Sequence, residues 1–392
     1  MSRKMYFDVR DVPSCARLGL SGRKMWIWFK ALVLSWAAWS AFTYLGWLAA
    51  DPAGLGAVWG SSRLLPLPAG IFWTSWQSVA LLATGILVMT AVMLSAALRA
   101  SRITFEQIRG DDFFSGREAA EFARRHGRPL YATPAALVAG LALAVLCGLL
   151  LGLAGRIPAV GPVLLGILAV PAWSGALLVV LGSIALLAAF PLVPAIVACT
   201  KGDTFETMFE LFSSVTSQPW RLALYALASF ITRVLALALF LAAGSMAVGI
   251  LVHTTALAGA PSPYALLQGG LRYVAPSLVG AYAGVVDVLG VSGQPGAAVQ
   301  PLAGALLAAS GAAIALVAAS YWFSSCSSAW TVIYLAVRRR KDGEDLLRRA
   351  DQEDLAEFER QYGSADESAG AGQRGCAGDS APGAATEADE QA

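Results

Sequence analysis

Long blocks from which charge is excluded constrain this chain more than any other feature. A helix crossing a hydrocarbon layer of about 30 Å needs roughly 20 consecutive apolar residues. Several blocks exceed that, among them 25–50, 76–98, 222–252 and 302–337. A water-soluble core in a chain of 392 residues has no use for such runs. Composition agrees: 14% of the residues are charged, where soluble domains carry about 25%. The expected fold class is an all-α membrane protein, a six-span helical bundle.

The spans are expected at about 31–50, 76–98, 133–153, 173–198, 234–253 and 302–337. The tract 159–198 has two readings, two crossings or a short interfacial piece before Pro171 followed by one span, and the second fits the lack of any polar break. About 25 polar residues precede the first block, and that block is too long for the core of a cleaved signal peptide, so it reads as a retained anchor. Lys and Arg beside spans are held in the cytoplasm. Segments 1–25, 99–130, 201–221 and 338–392 carry 23 of the 28 Lys and Arg, and the alternate segments carry only Arg63, Arg156 and Arg272. An even number of spans with both termini cytoplasmic follows. Trp26, Trp28, Trp47, Trp73, Trp76 and Trp220 fall near the boundaries, as an interfacial aromatic belt requires.

Lys30 and Arg233 lie inside apolar blocks, where an ionisable side chain is by default a functional candidate. Both blocks are longer than the bilayer needs. Starting the spans at Ala31 and Val234 moves each cation to the cytoplasmic boundary, where its stem can snorkel. His253 then closes the fifth span at the opposite surface. These three are the candidate polar sites.

Two inside segments echo one another. The first runs Gly110-Asp111-Asp112-Phe113-Phe114-Ser115-Gly116-Arg117-Glu118 and ends Arg128-Pro129; the second runs Gly202-Asp203-Thr204-Phe205-Glu206 and ends Gln218-Pro219. Each carries a capping-box spacing, Ser115 with Glu118 and Asp203 with Glu206. In the second, Phe205, Met208, Phe209, Phe212 and Val215 share a helical face opposite Glu206, Thr207, Glu210, Ser213 and Ser214. These elbows, about 111–128 and 203–219, are expected as two cytoplasmic interfacial amphipathic helices, the apolar face among acyl chains or against the bundle. Their equivalence makes the bundle three tandem hairpins of one orientation, unlike the inverted repeats of many transporters.

Small residues at four-residue spacing, Ala136, Gly140, Ala144, Gly148 and Gly152 on the third span and Gly304, Ala308 and Ala312 on the sixth, read as helix–helix contacts. The segment 259–301 suggests short interfacial helices at 264–274 and 278–289, with Asp287 its one acid. Gly290-Val291-Ser292-Gly293 resembles the GxSG of rhomboid-type intramembrane serine proteases, but it sits in a loop and His253 precedes it, so no protease is read from it. Residues 338–362 are expected as a cytoplasmic basic cluster and short helix. Residues 341–392 carry a net charge of −9, and from 363 the composition is that of a disordered acidic tail.

The run Ser327-Ser328-Ala329-Trp330-Thr331-Val332-Ile333-Tyr334-Leu335, followed by Arg338-Arg339-Arg340-Lys341-Asp342-Gly343, resembles the last-span ending of an uncharacterised family of bacterial multi-pass membrane proteins. The turn Arg156-Ile157-Pro158-Ala159-Val160-Gly161-Pro162 and the elbows are similar to that family as well, except that its second elbow ends Arg-Pro where this chain has Gln218-Pro219. The resemblance implies topology and a bacterial cytoplasmic membrane, and no chemistry.

No catalytic constellation is present. The five cysteines, Cys15, Cys147, Cys199, Cys326 and Cys376, form no CxxC pair, and two histidines make no His-rich metal site, so no disulfide framework, metal or cofactor is expected. The expected partners are the lipid bilayer and proteins reached through the elbows and the acidic tail, with no nucleic acid. Two functions fit: a non-catalytic scaffold or assembly component, or a transporter or channel for a small or lipidic solute with Arg233, Ser229 or Ser245 lining its path.

Overall fold

A computed structural model of the protein describes residues 5–158, 160–257, 301–343, 345–352 and 355, and these form helices and turns without a strand. The segments expected at 264–274 and 278–289, Asp287, the Gly290 to Gly293 motif and the tail from 356 onward lie outside the described residues. The chain divides into two compact units, Met1–Asp342 and Gly343–Ala392. In the second, residues 346–352 are helical.

The first unit contains α1 (Ser14–Gly19), α2 (Gly22–Ala50), α3 (Leu55–Ser62), α4 (Trp76–Arg109), α5 (Gly116–His126), α6 (Arg128–Ala154), α7 (Val160–Ile167), α8 (Ala169–Thr200), α9 (Thr204–Ser217), α10 (Pro219–Leu257) and α11 (Pro301–Asp342). Six of them, α2, α4, α6, α8, α10 and α11, are long and apolar enough to cross a membrane, which is compatible with a multi-pass membrane protein. α2 packs along α4, α6 along α8, and α10 against α11, while α11 also touches α2, α4 and α8.

Local chemistry sets the breaks. The tract 159–198 divides at Leu168 into short α7 and long α8. α4 ends at Gly110, whose φ of 106° suits a residue without Cβ, and whose N–H donates to the carbonyl of Glu106. α5 opens with a complete capping box: the Glu118 N–H donates to Ser115 Oγ at 3.3 Å, and the Ser115 N–H donates to Glu118 Oε2 at 2.8 Å. The matching box in the second elbow does not form, because the Asp203 side chain caps no helix N–H.

Burial is concentrated at one end, the basic end, where α2 begins and where α4, α8 and α11 finish. Leu98, Ala100, Ile103 and Phe105 of α4, Ala195 through Ala198 of α8, and Ala329 with Val332, Ile333 and Tyr334 of α11 are all buried. Away from that end the helices present apolar side chains outward. None of the most apolar stretch of α10 is buried, and very little of that of α6. Such a surface is stable only with its apolar side chains in hydrocarbon.

Three expectations change here. The second span, expected at 76–98, is longer as a helix: α4 runs on past Leu98 to Arg109 in the most buried part of the protein, where Arg102, Glu106 and Arg109 are paired. The glycines of the small-residue stripe on α6 bring no neighbour into close contact, since a Cβ added at Gly140, Gly148 or Gly152 would meet nothing within 4 Å. The close approach lies on α8 instead, where a Cβ at Gly182 would come within 3.0 Å of Leu141. Finally, Trp28 and Trp47 are core residues at 4% and 8% exposure, whereas Trp26, Trp73, Trp76 and Trp220 are exposed.

Candidate functional site

The basic end holds charged and hydroxyl side chains that three apparently separate segments contribute. Lys24, in the first turn of α2, is fully buried. Its Nζ donates to Thr104 Oγ1 of α4 and to Ser328 Oγ of α11, each at 3.0 Å. Those two hydroxyls stand 3.1 Å apart. An ammonium can be taken from water only when its protons are met in this way.

Two residues further along α4, Glu106 lies between two arginines. It pairs with Arg102 one turn before it and with Arg109 at 2.9 Å. Arg102 Nη1 also donates to the Ala198 carbonyl at 2.8 Å, which ties α4 to the last turn of α8. The same guanidinium lies 4.5 Å from the ring centroid of Phe122, a cation–π contact that holds α5 against α4. A second cluster forms where α9 meets α11. Glu210 pairs with Arg338 and faces Lys341 at 3.9 Å, while Arg338 Nε reaches Asp342 at 2.8 Å.

α9 therefore turns its polar side toward the bundle. Thr207, Glu210 and Ser214 are buried beside Leu211 and Val215, and Phe205 and Phe209 are exposed. Arg23 adds a further tie to the first elbow, donating to the carbonyls of Asp112 and Phe114.

The N-terminal segment, for which the sequence suggested no contacts, is packed on α11. Val12, Cys15 and Leu18 are buried. Ser324 Oγ donates to the Gly19 carbonyl at 2.8 Å, and the Tyr321 hydroxyl donates to that of Ala16 at 3.4 Å. A Cβ at Gly19 would lie 2.6 Å from Ser325 Cβ, so only glycine lets α1 come this close. Burial pushes the Cys15 thiol up to about 11, against a smaller opposing pull from Arg233.

Of the residues singled out from sequence, Arg233 is buried at 6% exposure rather than snorkelling at the boundary. Its Nε donates to the Ser229 carbonyl at 3.3 Å, its guanidinium lies 4.7 Å from the Trp322 ring centroid, and the Cys326 thiol is a further partner. Aromatic faces and a carbonyl take the place of the missing carboxylate. Lys30 is exposed, its Nζ 5.6 Å from the Trp26 ring centroid. His253 is exposed on α10, twenty residues beyond Arg233, or about 30 Å along a helix. The structure does not bring the three together. Ser229 is buried and donates to Ala226 within its own helix, and Ser245 is exposed.

Sequence reasoning missed Lys24, Arg102, Glu106, Glu210 and Arg338 because they lie outside the apolar blocks. A signal existed. Leu98, Ala100, Ile103 and Ile108 carry the apolar pattern of α4 past Arg99, and Arg102 with Glu106 has ion-pair spacing on a helix. Among the described residues no group of three His, Cys, Asp or Glu side chains is placed to hold a metal ion.

Beside the buried network, a cleft of about 300 Å³ opens between α4, α8 and α11, with Trp28 of α2 in its wall. The chain matches no protein-family model, no curated protein and no solved structure.

Proposed function

We propose that the chain is a non-catalytic scaffold or assembly component of a bacterial cytoplasmic membrane. It is built as three tandem hairpins whose basic end faces the cytoplasm. The pairings of α2 with α4, α6 with α8 and α10 with α11 support the hairpin reading. The concentration of Lys and Arg at one end supports the orientation.

One observation carries the functional reading: the buried charges are engaged by each other and by neighbouring side chains, not directed into a cavity. Glu106 is held between Arg102 and Arg109, and Glu210 by Arg338. Lys24 touches Ser328 at 3.0 Å, the contact of a Ser–Lys dyad, yet neither residue lines the cleft and both are fully buried. A transport path would instead place such groups along an opening. The elbows are then platforms. A cation–π contact and Arg23 hydrogen bonds hold the inner side of the first and an ion pair that of the second, and Phe113, Phe205 and Phe209 are free to enter the interface as anchoring side chains.

Two measurements, one in native membranes and one in proteoliposomes, test this reading. A photo-crosslinking residue at Phe209 should give a discrete protein adduct in native membranes that Glu210→Ala removes. Osmotic swelling with small solutes should match that of protein-free vesicles. Solute flux that Arg233→Ala abolishes would replace the scaffold with a transporter.

A further inference from the structure

A polar recess of about 230 Å³ opens at the basic end, where α1 finishes, α2 begins and α4 ends. Arg17, Leu18, Leu20, Ser21, Gln107 and Asp112 line it. Its walls are held from behind. The close approach of Gly19 to Ser325 seats the end of α1 on α11. Arg23 donates to the Asp112 and Phe114 carbonyls, while Asp111 Oδ1 accepts from the N–H groups of Phe113 at 2.9 Å and Phe114 at 3.1 Å. Those bonds fix the turn after α4 and leave the Asp112 carboxylate outside them.

Arg17 and Asp112 are exposed and carry opposite charges on one recess, yet among the described residues neither makes an ion pair, with the other or elsewhere. Beside them Ser21 is the N-cap of α2 with a hydroxyl that caps no helix N–H, and Gln107 adds an amide. A simple anion drawn by Arg17 would be repelled by Asp112, and a simple cation the reverse. A molecule that carries both charges satisfies both ends. The forked N–H groups of an arginine suit a phosphate, and a carboxylate takes charge-assisted hydrogen bonds from an ammonium. Leu20 on the rim and Phe113 next to Asp112 are exposed at 54% and 92%, and apolar side chains so placed belong at the depth of lipid headgroups.

We infer that this recess is a binding site for a phosphoethanolamine group. The phosphate oxygens accept from Arg17, Ser21 and Gln107, and the ammonium donates to Asp112. The site does not depend on the scaffold reading, because a platform and a transporter could each hold such a group at the basic end.

The test uses the full chain in detergent micelles. Phosphatidylethanolamine, phosphatidylcholine and phosphatidylglycerol of the same acyl chains are added in separate arms, and native mass spectrometry counts the lipid retained. About one phosphatidylethanolamine per chain should be held in preference to the other two. Choline has no N–H to give Asp112, and the glycerol headgroup has no positive charge. Arg17→Met and Asp112→Asn, both at exposed positions, should each weaken retention about fivefold, the worth of a solvent-exposed ion pair. Asp112→Asn should also erase the preference over phosphatidylglycerol. Arg125→Gln, which removes an exposed cation outside the recess, should change nothing. In a further arm soluble glycerophosphoethanolamine competes with the lipid. Displacement at equal concentration assigns the site to free headgroup compounds, and persistence of the lipid assigns it to the bilayer; each supports the site. Retention of phosphatidylcholine or phosphatidylglycerol equal to that of phosphatidylethanolamine would overturn it. So would retention that neither Arg17→Met nor Asp112→Asn weakens, or retention of no lipid and no glycerophosphoethanolamine.

Discussion

Lys24 and Ser328 lie 304 positions apart in sequence, and 3.0 Å separates the ammonium nitrogen of one from the hydroxyl oxygen of the other. With Thr104 they join α2, α4 and α11 at one buried point. Lys24→Ala removes the cation's hydrogen bonds and opens space, and should cost about 3 kcal/mol of stability. Lys24→Met keeps the stem and leaves Thr104 and Ser328 bonded to each other, so about 1 kcal/mol is expected. Thermal unfolding in mild detergent reads both. A loss in Lys24→Met equal to that in Lys24→Ala would show that the charge, not the packing, holds the three helices.

The second elbow depends on one carboxylate. Glu210 is buried and pairs with Arg338, so Glu210→Gln should destabilise the α9 contact by about 3 kcal/mol. Amide exchange in α9 should accelerate sharply while exchange in α4 stays as it was. A cycle with Arg338→Met would show coupling between the two sites and none between Glu210 and Lys30.

Gly19 sets how near α1 comes to α11. Gly19→Ala drives a methyl group into Ser325 and should lift α1 away, whereas Ser325→Gly in the same chain should restore it. Cys15 reports the change. Buried, with its thiol raised to about 11, it should resist alkylation near neutral pH. In a chain whose other four cysteines are replaced, Gly19→Ala should make Cys15 reactive, and the double variant should return it to inertness.

His126 gives the first elbow a dependence on pH. It stacks on Phe122 at 4.7 Å, and burial lowers its pKa, with Lys201, Arg102 and Arg125 adding to the effect. The folded state thus favours the neutral ring, and the unfolded chain binds the proton more readily. The stabilisation from this residue is complete above its unfolded pKa, about 6.5, and is lost as pH falls from there through its lower folded value. The protection factors of the α5 amides, which allow for the slower intrinsic exchange in acid, should fall on acidification in the native chain and change little in His126→Phe.

The six apolar helices were legible in the sequence because length and the exclusion of charge are read one residue at a time. The core was not, because it rests on pairings between distant segments. Glu106 and Arg102 drew no reading of their own, because beyond the apolar block nothing showed that each would meet the other along the same helix. Arg233 lacked an acid nearby in sequence, and its partners proved to be the Trp322 ring, the Ser229 carbonyl and Cys326. Gly140, Gly148 and Gly152 show the opposite error: a spacing that permits close packing does not supply the neighbour. The cleft was invisible for the same reason, its walls coming from four helices.

The docking of α1 on α11 has a consequence in time. Synthesis delivers Cys15, Gly19 and Lys24 at the start, and Tyr321, Ser324 and Ser328 some three hundred residues later. Until the last helix enters the membrane, the first has an ammonium without Ser328 and a glycine face without its serines. A nascent chain stalled before α11 would carry that unfinished surface, and a membrane quality-control protease could tell it from the completed protein by the N-terminal segment alone.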